Sequence, residues 1–410
     1  METIQDKQKP EPLTLCSFPA DGRANLNGHT SLVHHCGNTN VVGHTNKREM
    51  NKFIKVLMVG TICFQQQFLN SQDISTVEGG NCHTNYFNTK ALKQQPTLKW
   101  KFQTIGHAYG PALVSNGIVY FGDEGGLMHA VSINDGKEKW HYKVEGKIWS
   151  SPTIKDNLAY FGSTDGCMNC IDISTGKLVW KYKTEIEASC LPPTIKDNRV
   201  YFGSHDKHFY VLNSETGEVE NKLYYAAAVC GSPSMDDSCV YFSDFGGNVH
   251  ALKLNNYDSI WNYKTNKLID QTPTVDNNQV YFPSYDKSIY CVDKKNGELK
   301  WKKSINSIVT HIGLKDSLIV FNTMDGTLFV MNKTNGEKLW EFNSEGKTYS
   351  RAIMAEYIVY FGSGNGNVYA FDLFTGKQIW KFEAGIGIDR MTIDNGIIFF
   401  GSGNDMYAIE

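Results

Sequence analysis

The sequence has little excess charge of either sign, because its 40 lysines and arginines nearly balance its 43 aspartates and glutamates. A formal net charge of −3 leaves no basic footprint for nucleic acid or for an acidic membrane surface. Proline is scarce, with 11 residues in 410, and the 3.6-residue apolar period of amphipathic helices is absent. These absences argue against a nucleic-acid-binding protein and against a helical repeat.

The sequence also lacks the short motifs of several enzyme classes. No glycine-rich phosphate loop, zincin helix or nucleophile elbow occurs, and the ten cysteines give no disulfide framework. Cys167 and Cys170 have the spacing of a zinc or redox pair, but no second pair follows and structural zinc needs four ligands. We therefore predict no catalytic residue, no metal site and no cofactor, which favours a non-enzyme.

The first part of the chain divides into three segments by composition. Residues 1–49 are polar and without periodicity, which indicates a disordered extension or an artefact of a start codon upstream of the true one. Residues 50–72 begin with a short basic region, continue with a mostly apolar stretch from Phe53 to Phe64 and end in polar residues, the layout of a secretory signal peptide. A membrane anchor and a buried helix are the alternatives. Residues 73–94 are interpreted as a linker, and the protein is expected to be exported to the periplasm or envelope.

A repeat of about forty residues occupies the rest of the chain. One residue type marks it, with Asn221 in the single vacant slot: Trp100, Trp140, Trp180, Trp261, Trp301, Trp340 and Trp380. Residues 151–186 form one unit, which reads as four short strands separated by turns such as Asp165-Gly166. Four antiparallel strands repeated radially predict an all-β fold, an eight-bladed β-propeller over residues 95–410.

The eighth repeat lacks its last strand, because the chain ends at Glu410 after the third. The segment Leu98–Phe102, just before the first repeat, has the composition of the missing strand. Sharing one blade between the two ends of the propeller leaves no unpaired strand edge between the first and last blades. We therefore predict that an N-terminal strand completes the last blade and closes the ring.

The stretch from Ala370 to Trp380 carries the pattern A-x-D-x-x-T-G-K-x-x-W and resembles the tryptophan docking pattern of quinoprotein-type, or PQQ-like, β-propeller repeats. The glycine permits a tight turn, the aspartate can bond backbone groups in it, and the tryptophan packs flat against the neighbouring blade. The blades of Asn221 and Tyr257 depart from the pattern and are expected to dock less tightly. Structural roles are expected for all seven tryptophans and for Asp172, Asp293 and Asp372.

The resemblance implies one of two kinds of protein. Quinoprotein dehydrogenases of this family hold pyrroloquinoline quinone and calcium, whereas shorter cofactor-free relatives, such as the outer-membrane assembly lipoprotein BamB, hold other proteins. The near-constant repeat leaves no room for the insertions that build the cofactor chamber, and the vicinal cysteine pair that stacks on the quinone has no counterpart.

The resemblance therefore implies a monomeric, non-enzymatic scaffold that binds another protein of the envelope. Its contact with the membrane would run only through the N-terminal segment or through the partner. Two alternatives stay open. One is a quinone- or small-ligand-binding protein at the central channel; the weaker one is saccharide binding.

Polar residues begin the innermost strands of several blades, and we expect them to surround the channel mouth on the face of the Asp-Gly hairpins. His311, Arg351 and Arg390 fall in consecutive blades and predict a one-sided basic arc for an anion or a partner, because the planar guanidinium suits carboxylates. Alternatively, the arginines bond backbone carbonyls or Asp389 and simply fill the channel. The predicted mouth comprises Trp149, Asp270, His311, Tyr349, Arg351, Asp389 and Arg390.

Overall fold

The computed structural model describes residues 74–75, 80–186 and 192–410, and these form 34 β-strands in eight sheets. Every sheet contains four antiparallel strands that make one blade, and two sheets gain a fifth strand from the N-terminal segment. The first strands of neighbouring blades contact one another, so they form the wall of a central channel. The prediction of an eight-bladed propeller is confirmed. Among the described residues, none builds an apolar helix of membrane-spanning length.

The strands of each blade follow one another from the channel outwards. Blades one to four contain Leu113–Ser115, Ile118–Gly122, Leu127–Ser132 and Glu138–Lys143; Thr153–Lys155, Leu158–Ser163, Cys167–Asp172 and Leu178–Lys183; Thr194–Lys196, Arg199–Gly203, His208–Asn213 and Val219–Tyr224; Val229–Met235, Cys239–Asp244, Asn248–Lys253 and Ser259–Lys264. Blades five to eight contain Thr274–Val275, Gln279–Ser284, Ser288–Asp293 and Leu299–Ser304; Val309–Lys315, Leu318–Thr323, Thr327–Asn332 and Lys338–Asn343; Ile353–Ala355, Ile358–Gly362, Asn367–Asp372 and Gln378–Glu383; Met391–Asp394, Ile397–Ser402, Asp405–Ile409 and Leu98–Gln103.

Burial follows the position of a strand in its blade. Second strands such as Leu158–Ser163 are buried on both faces, because a neighbouring blade covers each of them, and they are accordingly rich in apolar residues. Outer strands such as Leu178–Lys183 are largely exposed and bury mainly the tryptophan. The core is therefore a ring of apolar clusters between blades.

The last blade is closed as the sequence predicts. Leu98–Gln103 pairs antiparallel with Asp405–Ile409, and Trp100 lies opposite Ala408. At the end of this pairing, the backbones of Thr97 and Glu410 exchange two hydrogen bonds of 2.9 and 3.0 Å. The outermost strand of blade eight thus comes from the N-terminal side of blade one.

The tryptophans of the repeat lie between blades. For the first six, the indole N–H donates at 2.8–3.1 Å to a backbone carbonyl near a turn of another blade: Ile133, Ile173, Ser214, Lys294, Lys333 and Leu373. The ring of Trp180 lies so close to Gly217 that a Cβ there would be 2.6 Å from Cδ2 of the indole, and this glycine has φ +73°. Only glycine meets both requirements.

The two departures from the docking pattern meet at one interface. Asn221 stands at the tryptophan position of the outer strand of blade three, opposite Val211. Tyr257 stands at the glycine position of blade four with φ +60°, and it packs with Tyr201 in the core between these blades. Trp261 of blade four donates to Lys294 like its counterparts. Looser docking therefore stays a prediction for the interface of blades three and four alone.

Residues 80–92, here named the strap, lie along the channel wall near the ends of the inner strands. Backbone N–H groups of blades four to seven donate to strap carbonyls at 2.8–3.2 Å, in the pairs Met235 to Asn81, Val275 to Cys82, Leu314 to Thr84 and Met354 to Asn85. Tyr86–Phe87 adds a parallel strand to Ile353–Ala355. This part of the expected linker thus pairs inner strand edges that would otherwise line the channel unpaired.

The strap also completes the interface between blades seven and eight. The carbonyl of Leu92 accepts the indole N–H of Trp380 at 2.9 Å and the hydroxyl of Tyr360 at 3.2 Å. In other interfaces a carbonyl near a turn before the fourth strand has this role, and blade eight lacks that turn because its fourth strand is Leu98–Gln103. Leu92 takes its place.

Candidate functional site

The starts of the inner strands surround the channel mouth at the end opposite to the strap. The hairpin of blade one reaches this mouth, because Glu124 accepts the indole N–H of Trp149 at 2.9 Å. Tyr109 lies beside Trp149, with the ring centroids 6.4 Å apart, and Lys147 stands over the indole at 5.5 Å. These residues form an aromatic wall with an ion pair, Lys147–Glu124 at 3.3 Å, at its edge.

Arg390 extends this wall from blade eight. Its guanidinium carbon lies 5.3 Å from the centroid of the Tyr109 ring, a cation–π distance. Its Nε is buried and has no hydrogen-bond partner among the described residues. Asp389, the partner that the sequence offers for this arginine, instead forms an ion pair with His107, with Oδ2 and Nε2 3.0 Å apart. The Nε–H group of Arg390 is therefore a hydrogen-bond donor that a ligand could use.

The pairing of His107 with Asp389 shifts both titrations. Burial raises the pKa of Asp389, and the interaction with His107 opposes that rise. The interaction with Asp389 raises the pKa of His107 above its ordinary value of 6.5. Nothing in the sequence around His107 marks it as a site residue, since it lies between the closing strand and blade one, outside the aligned strand starts.

We expect His107→Gln to destabilise the protein in a pH-dependent way. Because the folded-state pKa of His107 is raised, its stabilisation is fully present below the unfolded pKa and is lost as the pH rises through the folded pKa. The pair is partly exposed, so the loss should not exceed about 1 kcal/mol. Urea unfolding should show a difference in the free energy of unfolding between parent and variant that becomes smaller from about pH 6 to about pH 9. A difference that stays constant over this range contradicts a stabilising role for protonated His107.

Asp270 lies on the side of the mouth opposite to blade one, just before the first strand of blade five. Tyr285 donates its hydroxyl to this carboxylate at 2.6 Å, and Gln271 donates its amide at 2.8 Å. Burial raises the pKa of Asp270, while these hydrogen bonds and the positive charge of Arg390 lower it. The influence of Arg390, which belongs to blade eight, shows that the predicted mouth residues of distant blades lie within electrostatic reach of one another.

The residues of the predicted basic arc differ in how far they are exposed to solvent. His311 and Arg351 are buried, with 8% and 6% of their surface exposed, and His311 Nδ1 contacts the carbonyl of Thr310. Arg390 is half-buried, and Tyr349, two residues before Arg351, is 43% exposed. The accessible part of the mouth is therefore the Arg390 side together with the aromatic residues. Tyr109 was not among the predicted residues, although it stands eleven residues before Tyr120, the same repeat position as Trp149 before Tyr160 and Tyr349 before Tyr360.

The carboxylates of the mouth do not fit a calcium site. Calcium takes six to eight oxygen ligands, but Asp270 and Asp389 are each bound by protein donors of different parts of the mouth. Within the described residues, no group of three or more His, Cys, Asp or Glu is placed to hold a metal ion. Cys170 is buried beside Trp180, and burial raises the pKa of its thiol to about 12.

Short stretches of the chain are similar to parts of known enzymes. A stretch of 65 residues is 32% identical to tetrathionate hydrolase from Acidithiobacillus ferrooxidans and covers 16% of this chain and 13% of that protein. A stretch of 64 residues is 38% identical to quinoprotein alcohol dehydrogenase PedE from Pseudomonas putida and covers 15% and 10%. The matches thus span only a small part of the length of these relatives.

Solved structures match over most of the chain. BamB from Moraxella catarrhalis superposes with a TM-score of 0.66 at 18% identity, covering 77% of this chain and 99% of that one. A europium-containing methanol dehydrogenase superposes with a TM-score of 0.71 at 12% identity, covering 82% and 97%. At such identities the similarity shows the fold, which BamB and a methanol dehydrogenase share.

The model of one protein family matches the whole propeller. It is described as outer membrane protein assembly factor BamB, and it aligns with residues 90–188, 157–342 and 324–410. The matched ranges begin within the strap and include every blade. The chain therefore belongs to the family of the outer membrane protein assembly factor BamB.

Proposed function

We propose that this propeller is a non-enzymatic scaffold that binds another protein of the bacterial cell envelope, in outer-membrane assembly or a related role. The observation that carries the proposal is the composition of the mouth, where Trp149, Tyr109 and Arg390 are in contact and Tyr349 is exposed before the first strand of blade seven. Tryptophan, tyrosine and arginine are the residue types that dominate binding energy in protein interfaces. The family membership points in the same direction.

The proposal includes an exported protein that needs no cofactor and acts as a monomer. Export rests on the expected signal peptide at residues 50–72, which lies outside the described residues. The rigidity of the blades suits a scaffold, because the partner then finds its contacts already positioned and binding costs little ordering entropy.

Affinity capture from envelope extract at low salt tests the proposal. The bait is the tagged chain, compared with a mouth variant, Trp149→Ala/Tyr349→Ala, and with a matched variant of two exposed aromatics on turns at the strap side, Tyr357→Ala/Phe374→Ala. We expect one envelope protein to be retained by the parent and the matched variant and lost by the mouth variant, with circular dichroism confirming that all three fold. Empty captures, or retention by the mouth variant, overturn it.

The second candidate is a small-ligand-binding protein at the same mouth, favoured by the uncommitted Nε of Arg390. Thermal melting with pyrroloquinoline quinone plus calcium separates it from the scaffold. A melting temperature that rises with ligand concentration supports ligand binding. The scaffold proposal expects no shift.

A further inference from the structure

The carboxylates of the mouth are already engaged by donors of the protein. Asp389 forms an ion pair with His107, Asp270 accepts from Tyr285, and Glu124 accepts from Trp149 and pairs with Lys147. A carboxylate that is ion-paired or hydrogen-bonded within the protein attracts an incoming cation less than a free one. The acidic residues of the mouth therefore do not make it a site for a basic partner.

The cationic side of the mouth, formed by Arg390, is in contrast not paired with any carboxylate of the described residues. Arg390 has a buried Nε without a hydrogen-bond partner in the described part of the chain, and its guanidinium is stacked on Tyr109 rather than bonded to the adjacent Asp389. Stacking holds the planar group while leaving its edge to bind a carboxylate. A buried guanidinium nitrogen without a partner also costs free energy that an incoming acceptor would recover.

A second uncommitted donor lies in the same ring of strand starts. The hydroxyl of Ser151, in blade two, is buried and has no partner among the described residues. Trp149 stands two residues earlier in the chain and belongs to the aromatic wall. The mouth thus offers a cation, a hydroxyl and aromatic surface, which together suit an acidic side chain within a peptide better than an isolated small anion.

The strap limits how such a ligand can enter. His83 and Asn85 of the strap are buried, with His83 Nε2 bonded to the carbonyl of Pro233 at 2.9 Å and Asn85 bonded to that of Ile312 at 3.3 Å. The strap end of the channel is therefore occupied by the protein itself. Entry from the mouth alone suits a loop or a chain end of a partner.

From this arrangement we propose that the mouth recognises an acidic extended segment of the partner protein, with Arg390 binding a glutamate or aspartate carboxylate and the Trp149–Tyr109 wall packing against the neighbouring side chains. This proposal rests on the proposed scaffold function and names the chemistry of its partner. Arg390 is the principal specificity residue of the site.

Fluorescence anisotropy with a labelled short peptide of alternating glutamate and serine tests it on the full chain. We expect saturable binding that weakens about tenfold in Arg390→Gln and about tenfold when glutamine replaces every glutamate of the peptide. The matched control is Arg199→Gln, since Arg199 pairs with Glu220 on the outer side of blade three. This control should bind as the parent does.

Equal affinity of parent and Arg390→Gln, or of the glutamate and glutamine peptides, overturns the proposal. Citrate that binds as tightly as the peptide also overturns it, because the site would then be one for a small polycarboxylate. If Arg390→Gln fails to fold, Tyr109→Leu is the second variant, since it removes the ring under the guanidinium and should weaken the glutamate peptide while keeping the arginine.

The two proposals fail in different ways. If an envelope partner is captured equally by the parent and Arg390→Gln while the peptide does not bind, the scaffold function is supported and the recognition of an acidic segment is rejected. If the peptide binds with the expected dependence on Arg390 while every capture is empty, the carboxylate site stands and the scaffold function falls.

Discussion

Deleting Leu98–Gln103 should lower the free energy of unfolding by at least about 4 kcal/mol, because it removes the buried ring of Trp100 and uncovers the edge of Asp405–Ile409. Trp100 packs with Phe399 and Ala108 in the core between blades eight and one. Urea unfolding followed by tryptophan fluorescence measures the effect. Because the missing tryptophan alters the signal, circular dichroism should give the same midpoint.

The control for this deletion is Leu98→Ala, a change in the same strand at a side chain that is 50% exposed. It should change the free energy of unfolding by no more than about 0.5 kcal/mol. If the deletion unfolded at the same urea concentration as the parent, the strand would not close the ring. The claim of a shared last blade would then have to be abandoned.

Gly217→Ala should be the most damaging methyl addition among the glycines that contact a repeat tryptophan. Its Cβ would lie 2.6 Å from the indole of Trp180, in an interface where both the ring and the backbone are fixed, and φ at this position is +73°. Forced repacking of a core commonly costs about 1–3 kcal/mol, and a left-handed residue other than glycine adds about 1–2 kcal/mol. The urea concentration at the midpoint of unfolding should fall accordingly.

Gly385→Ala separates these two contributions. Gly385 also has a positive φ, +91°, but a Cβ there would meet nothing within 4 Å. It should therefore incur the backbone cost alone, leaving Gly217→Ala the more destabilised by about 2 kcal/mol. Equal destabilisation of the two variants would show that the contact between tryptophan and glycine contributes little to docking.

The blades and the ring closure were predictable because each rests on a periodic pattern. Once Trp100 is recognised as the fourth-strand tryptophan of an incomplete last repeat, its pairing with Asp405–Ile409 follows from counting. The meeting of Asn221 with Tyr257 could also have been predicted. Each of the first six repeat tryptophans contacts the glycine turn of the next blade, so a missing tryptophan and a missing glycine in successive blades fall at one interface.

The strap was not predictable from the sequence. Its carbonyls accept hydrogen bonds from Met235, Val275, Leu314 and Met354 through the backbone, which leaves no side-chain period to detect. A polar segment of this kind has the composition of a linker whether it is free or paired.

The details of the mouth escaped sequence reasoning for a related reason. The alignment of strand starts places Arg390 and Asp389 at the channel, and it would also place Tyr109 there, but it does not show that Arg390 meets Tyr109 or that Asp389 meets His107, both from the segment that leads into blade one. That segment meets blade eight only because the ring is closed. Contacts between distant parts of the chain are set by the closed fold, so no local motif announces them.

Site-directed photo-crosslinking in cells tests most directly whether the partner binds at the mouth and not at the strap side. Tyr349 and Tyr357 are two exposed tyrosines of blade seven at opposite ends of one inner strand, 43% and 52% exposed. Each is replaced in turn by a photoreactive phenylalanine analogue. The account predicts a crosslinked envelope partner from position 349 and none from position 357. A crosslink from position 357 alone would contradict it.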